Sequence, residues 1–153
     1  MDGDLMFASW TWGLSLIALT IAIHAVGVVA MALVMVRFRV GLENRNLGLC
    51  YVIPIVIGAV GSIGLLLAVL HGIEATIWAA AYLWLGALGS FSDGMLYSVD
   101  SMTTRGASGL MLLPHWRMLG ALEAADGMLL FGISTAYMFA VMQVYWPMLS
   151  RRR

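Results

Sequence analysis

Hydrophobic residues along this chain fall into three long runs, and polar segments separate each run from the next. The first run, Leu14–Val36, contains His24 as its only strongly polar residue. The run is long enough to cross the roughly 30 Å hydrocarbon core of a bilayer as a tilted helix. It therefore predicts a first transmembrane helix.

The second hydrophobic run is longer and holds only His71 and Glu74 as ionisable residues. Because no polar turn divides the run, we predict one span over Leu49–Leu70 with a helical continuation to Leu85. The alternative of two separate spans lacks turn residues to join them. Aromatic residues near the end of the run are typical of a membrane interface: Trp78, Tyr82 and Trp84.

The third run, Trp116–Trp146, predicts a third transmembrane helix. Pro114 precedes it, and proline is favoured in the first turn of a helix. The pattern as a whole predicts an all-α membrane protein with three transmembrane helices.

Composition supports this class. Hydrophobic residues make up 62% of the chain and charged residues 10%, whereas a soluble domain carries about a quarter charged residues. The formal net charge is zero, which argues against nucleic acid as a partner and leaves the lipid bilayer as the expected surroundings. The single Cys50 excludes an intrachain disulfide and a cysteine-based metal cluster. We predict no enzyme, no bound metal and no cofactor.

The arginines predict how the chain is oriented. Three follow the first span and three end the chain: Arg37, Arg39, Arg45 and Arg151–Arg153. The amino terminus carries Asp2 and Asp4 instead. Because arginine concentrates in cytoplasmic segments, we expect the amino terminus outside and the carboxyl terminus in the cytoplasm. We predict a multi-pass protein of a cell membrane, of the bacterial inner-membrane type.

A polar, glycine-broken segment at 97–109 lies between the second and third spans. Such a segment is tolerated at membrane depth only where protein buries it or where it lines a water-filled cavity. Ser92 or Asp93 would cap a short helix over 92–103. The carboxyl end of that helix would point into the membrane, where its partial negative charge favours a cation. This layout predicts a re-entrant pore helix and a filter loop.

The residues Met95–Gly106 and Trp116–Ala136 resemble the pore domain of tetrameric potassium channels. They look most like small bacterial ion channels of the two-pore-domain type, whose filter reads Thr-Thr-x-Gly-Tyr-Gly-Asp. The resemblance covers roughly 51–146, and it implies a homotetramer that conducts monovalent cations such as K⁺ or Na⁺ along its fourfold axis. It divides the chain into an amino-terminal helix with a cytoplasmic loop, 1–46, and a pore domain, 47–150. That domain comprises an outer helix, the pore helix 92–103, the filter 103–109 and an inner helix 114–146.

The resemblance also implies roles for individual residues. The filter and ion path would contain Thr103, Thr104, Arg105, Gly106, Ala107 and Ser108, with Thr104 as the innermost ligand. Gly127 or Gly132 would form a gating hinge in the inner helix. Glu123 and Asp126 would either pack against the pore helix or face the cavity and concentrate cations.

The filter departs from the family pattern at four positions. Arg105 replaces a small apolar residue, Ala107 replaces tyrosine, Ser108 replaces the second glycine and Gly109 replaces the final aspartate. Arg105 either pairs with Asp100 behind the filter as a brace, or turns to the axis in a ring that repels cations. We therefore expect a cation channel with an atypical Thr-Arg-Gly-Ala-Ser filter and without ordinary K⁺ selectivity. The alternative is a non-conducting or accessory membrane protein that retains the channel fold.

Ionisable residues within spans are functional candidates by default. His24, His71, Glu74 and Glu123 are accordingly candidate proton-sensing residues. The structural alternatives are a neutral His24 bonded to a neighbouring helix, and a His71–Glu74 pair that meets Arg117 or Glu123. A third interpretation, haem ligation by His24 and His71, is weak because nothing in the sequence pairs the two histidines at matching depths.

Overall fold

A computed structural model describes residues 2–43, 48–106 and 108–150. These residues form helices α1 (Asp2–Glu43), α2 (Leu49–Trp84), α3 (Phe91–Met102) and α4 (Arg117–Ser150), with a 3₁₀ turn at Pro114–Trp116 before α4. The described residues contain no strand. Three helical segments are long and apolar enough to cross a membrane: Phe7–Leu42, Cys50–Trp84 and Pro114–Pro147. This confirms the prediction of an all-helical protein with three helices that are long and apolar enough to span a membrane.

The helices extend beyond the hydrophobic runs that predict them. α1 continues on both sides of Leu14–Val36, because no proline or glycine-rich turn interrupts its flanks. α2 continues without a break past Leu70 to Trp84, so the continuation predicted there forms part of one helix. α4 includes Pro147 and ends at Ser150, beyond the predicted exit at Trp146.

Gly86 ends α2. Its φ of 66° lies in the left-handed region, which favours glycine. Its N–H donates to the Leu83 carbonyl at 3.1 Å, and the N–H of Ala87 donates to the Tyr82 carbonyl at 2.9 Å. These two bonds satisfy carbonyls at the helix end and turn the chain back toward α3.

Ser90 starts α3. Its side-chain oxygen accepts the Asp93 N–H at 3.1 Å, which satisfies one of the free donors of the first turn. The predicted caps, Ser92 and Asp93, are therefore wrong, and both residues lie inside the first turn.

α3 packs between α2 and α4, and its carboxyl end lies deep against α4. A Cβ atom added to Gly127 would stand 2.5 Å from the carbonyl oxygen of Met102, the last residue of α3. Gly127 lies ten residues after Arg117, or about 15 Å along the helix at 1.5 Å per residue. The end of α3 is therefore level with the interior of α4, and residues 103–113 return the chain to the start of α4.

Two apolar clusters hold the helices together. One includes Leu16, Trp78, Tyr82, Trp116 and Leu119. The other includes Met35, Val56, Ile63, Tyr137 and Val141, which lie later than the first cluster on α1 and α4 and earlier on α2. Between them in sequence, on α1, α2 and α4, lie buried polar side chains: His24, Glu74, Asp126 and Ser134.

Candidate functional site

The loop after α3 begins with a threonine in an unusual backbone conformation. Thr104 has a φ of 56°, a left-handed value that is a genuine outlier for a β-branched residue. Its N–H donates to the Ser101 carbonyl at 2.8 Å, and the Arg105 N–H donates to the Asp100 carbonyl at 3.0 Å. These bonds have the same pattern as those at Gly86, so Thr104 occupies a position that normally belongs to glycine.

Asp100 ties this loop to α3. Its Oδ1 accepts a hydrogen bond from Arg105 Nε at 2.7 Å, and its Oδ2 accepts the Ser108 N–H at 2.8 Å. The hydrogen bond from Arg105 and then the Ser108 amide lower the pKa of the Asp100 carboxyl below its usual range, against the opposing effect of burial. The Asp100 side chain is 4% exposed and that of Arg105 63%. The structure thus brings together the two residues proposed as a filter brace.

The structure gives further local detail for Thr103 and Gly106. The Thr103 hydroxyl donates to the Val99 carbonyl at 2.8 Å within α3. Gly106 is exposed with a φ of 62°, and Ala107 lies outside the described residues. Coordination of an ion by this loop stays a prediction.

Glu123 joins α4 to α2 and α3 through two buried hydrogen bonds. The Tyr82 hydroxyl donates to Oε2 at 2.6 Å, and the Ser98 hydroxyl donates to Oε1. The carboxylate packs against α3, which is the first of the two alternatives raised for it. Nearby, burial and then the charges of Glu123 and Asp100 raise the pKa of the Tyr97 phenol.

Asp126 joins α4 to the other two long helices. Its Oδ2 accepts hydrogen bonds from the Thr20 hydroxyl at 2.7 Å and from Trp78 Nε1 at 3.0 Å. Its Oδ1 is buried and has no hydrogen-bond partner within the described ranges.

Two histidines, a glutamate and a serine form a closed ring inside the bundle. His24 Nδ1 lies 2.8 Å from Glu74 Oε1, and His71 Nδ1 lies 3.1 Å from Glu74 Oε2. On the opposite side, Ser134 Oγ lies 3.1 Å from Nε2 of each histidine. The ring therefore connects α1, α2 and α4. We call these four residues the histidine cluster.

The histidine cluster corrects two expectations. The ring centroids of His24 and His71 are 5.2 Å apart, so the view that nothing pairs the two histidines is wrong. Their shared contacts with Glu74 and Ser134 leave no room for a porphyrin between them. Glu74 meets His24 rather than Arg117 or Glu123, because Glu123 bonds to Tyr82 and Ser98 instead.

A cavity of about 580 Å³ adjoins both the histidine cluster and the end of α3. Its lining is mostly apolar but includes the polar residues His71, Thr103 and Ser134, together with Gly127. Gly127 is tightly packed on Met102, whereas a Cβ at Gly132 would meet nothing within 4 Å. The two proposed hinge residues thus have very different surroundings, and a hinge role for either stays a prediction.

Comparison with protein-family models, curated proteins and solved structures finds no match to this chain. Its function is therefore inferred from its own residues. Sequence reasoning missed five hydrogen-bond partners of the buried ionisable groups: Thr20, Trp78, Tyr82, Ser98 and Ser134. One signal was available, because Glu74, Trp78 and Tyr82 recur every fourth residue and so share one face of α2.

Proposed function

We propose that this protein forms a cation pathway across a membrane as a homotetramer with potassium-channel architecture. The observation that carries the proposal is the position of α3, whose carboxyl end packs against Gly127 between two spanning helices. A helix carboxyl end attracts cations. Irregular backbone at membrane depth is tolerated where protein buries it or where it lines a water-filled cavity. In the proposed tetramer, the loop 103–109 of each subunit faces the central axis.

The pairing of Arg105 with Asp100 makes cation passage compatible with an arginine in the filter sequence. Arg105 Nε lies 2.7 Å from a carboxylate oxygen, so each positive charge is accompanied by a negative one. Four such pairs would repel a cation far less than four uncompensated arginines. Ala107 and Ser108 replace the tyrosine and glycine of the family filter, so we propose passage of K⁺ and Na⁺ without strong selection between them.

Glu123 supports the same proposal through the rigidity that it gives α3. Its two buried hydrogen bonds, to Tyr82 and Ser98, attach α3 to both neighbouring helices. A pathway that replaces the water around an ion needs ligands on a fixed scaffold. We further propose a bacterial inner-membrane location with the amino terminus outside, from the arginine distribution.

A second candidate is a non-conducting or accessory membrane protein with the same fold. The observation that favours it is the closed end of α3. The Thr104 and Arg105 amides bond back into the helix, and both oxygens of Asp100 are used by the loop. Such a loop stabilises itself and need not coordinate an ion.

Native mass spectrometry and liposome flux separate the two candidates. The channel proposal expects a tetramer and K⁺ and Na⁺ flux above protein-free vesicles. Arg105→Gln should raise cation flux severalfold, because Asp100 then keeps an uncompensated negative charge. Arg117→Gln, which removes an exposed arginine at the start of α4, is the matched control and should leave flux unchanged. A verified tetramer without flux of either ion would favour the non-conducting protein.

A further inference from the structure

The histidine cluster has the features of a metal site, and the proposed pathway does not use them. We propose that it binds one divalent transition-metal ion of the Zn²⁺ class per chain. The ligands are Nδ1 of His24, Nδ1 of His71 and the carboxylate of Glu74. Ser134 orients the two imidazole rings from the far side.

The ligand atoms already converge. One atom from each of His24, His71 and Glu74 lies within 4.8 Å of the other two. Zinc bonds of about 2.0–2.2 Å in tetrahedral geometry place neighbouring ligand atoms about 3.3–3.5 Å apart. The present nitrogen–oxygen distances are 2.8 and 3.1 Å, so the ligands need to separate by roughly half an ångström. The His71 side chain is 23% exposed toward the cavity, which leaves it room to move.

One oxygen of Glu74 is buried without a hydrogen bond. Within the described part of the chain, Glu74 Oε2 accepts none, although the side chain is fully buried. It faces His71 Nδ1 at 3.1 Å, a distance that allows an ion pair but in a geometry that does not make a hydrogen bond. An unsatisfied buried carboxylate oxygen is costly. A cation bound by this oxygen and by the facing nitrogen would remove that cost.

Ser134 completes the site in the metal-bound form. With both Nδ1 atoms on the metal, each Nε2 carries a hydrogen and needs an acceptor. Ser134 Oγ lies 3.1 Å from both Nε2 atoms, and a hydroxyl oxygen can accept two hydrogen bonds. Metal-binding histidines commonly donate their second N–H to such a partner, which fixes ring orientation and tautomer.

The donor set selects the class of metal. Two imidazoles and one carboxylate suit Zn²⁺ and its neighbours, whereas Mg²⁺ and Ca²⁺ prefer oxygen ligands. The carboxylate of Glu74 supplies a negative charge to the ion, and the two imidazoles complete the three protein ligands. The adjoining cavity, lined by His71 and Ser134, provides an access route and space for water at the open fourth position.

The test measures metal content and coordination in the purified full-length protein. After chelator treatment and incubation with ZnSO₄, we expect one Zn²⁺ per chain in the wild type and in His115→Gln, which changes the exposed third histidine. Glu74→Gln should lose the ion. X-ray absorption should show two imidazoles and a carboxylate oxygen, and Co²⁺ substitution should give the visible spectrum of a four- or five-coordinate site.

Ser134→Ala provides a milder test that does not change a ligand. It should weaken Zn²⁺ binding 10- to 100-fold, roughly the usual effect of removing a partner of metal-binding histidines. Thr135→Ala is its matched control, because the Thr135 hydroxyl bonds only to the Phe131 carbonyl of its own helix at 2.8 Å. Absence of Zn²⁺ from the reloaded wild type would overturn the proposal. Equal Zn²⁺ binding by wild type, Ser134→Ala and folded Glu74→Gln would also overturn the proposed metal site. This conclusion would hold even if the protein conducts ions in liposomes.

Discussion

Gly127 and Gly132 were assigned the same role from sequence, yet they should respond in opposite ways to the same substitution. In Gly127→Ala, the new Cβ would stand 2.5 Å from the Met102 carbonyl oxygen and 2.6 Å from its Cα, whereas ordinary contacts are 3.4–4 Å. Either the end of α3 or α4 must therefore move by about an ångström, and overpacking of this kind costs about 1–3 kcal/mol. Gly132→Ala meets nothing within 4 Å.

Both substitutions gain the same helix propensity, up to about 1 kcal/mol, so this contribution cancels when the two variants are compared. Gly127→Ala should be less stable than Gly132→Ala by about 1–3 kcal/mol. Unfolding by SDS in mixed micelles, followed by tryptophan fluorescence, measures the difference. Equal unfolding midpoints, or a lower midpoint for Gly132→Ala, would refute the close packing of α3 on α4.

Three further predictions concern the residues around α3. Thr104→Gly should stabilise the protein by up to about 1 kcal/mol in the same assay. A left-handed backbone costs a non-glycine residue about 1–2 kcal/mol, and glycine loses part of that gain to entropy. A lower unfolding midpoint would contradict the left-handed conformation of Thr104 at the end of α3. Tyr82→Phe should cost about 1–3 kcal/mol, since it leaves Glu123 Oε2 buried without its donor; an unchanged midpoint would contradict that bond. The folded pKa of Asp100 is lowered, so the stability from its bond to Arg105 is present above the unfolded pKa of about 3.9 and is lost as pH falls through the folded value. In Asp100→Asn, the stability should therefore fall less steeply as the pH is lowered through the acidic range. The same fall in wild type and variant would argue against the Asp100–Arg105 interaction.

Sequence reasoning succeeded where the relevant interactions are local. The length of each hydrophobic run predicts a spanning helix, and the predicted limits of α3 differ from Phe91–Met102 by one residue at each end. The Asp100–Arg105 contact joins residues five apart across one helix end. The backbone of one helix end keeps two residues at this spacing close together, so the contact can be predicted from the sequence alone.

Sequence reasoning failed where partners come from different helices. His24 and Glu74 are fifty residues apart in the sequence. The hydropathy of two runs does not reveal the relative axial position of the two helices, which decides which residues meet. Trp78 and Tyr82 were predicted at a membrane interface, but both are fully buried and donate to carboxylates on α4. Buried carboxylates need hydrogen-bond donors. That requirement explains the positions of Trp78 and Tyr82 better than their aromatic character does.

The central claim is that ions pass the loop after α3, and thiol modification during current recording tests it most directly. In a Cys50→Ala background, which removes the exposed free cysteine, Thr103→Cys places a thiol at the cavity. Thr11→Cys is the matched control, because Thr11 is also exposed and its hydroxyl also bonds only within its own helix. We predict that a cationic thiol reagent stops cation current in Thr103→Cys and leaves Thr11→Cys unchanged. Absence of current, or a current in Thr103→Cys that persists after complete modification, would contradict the account.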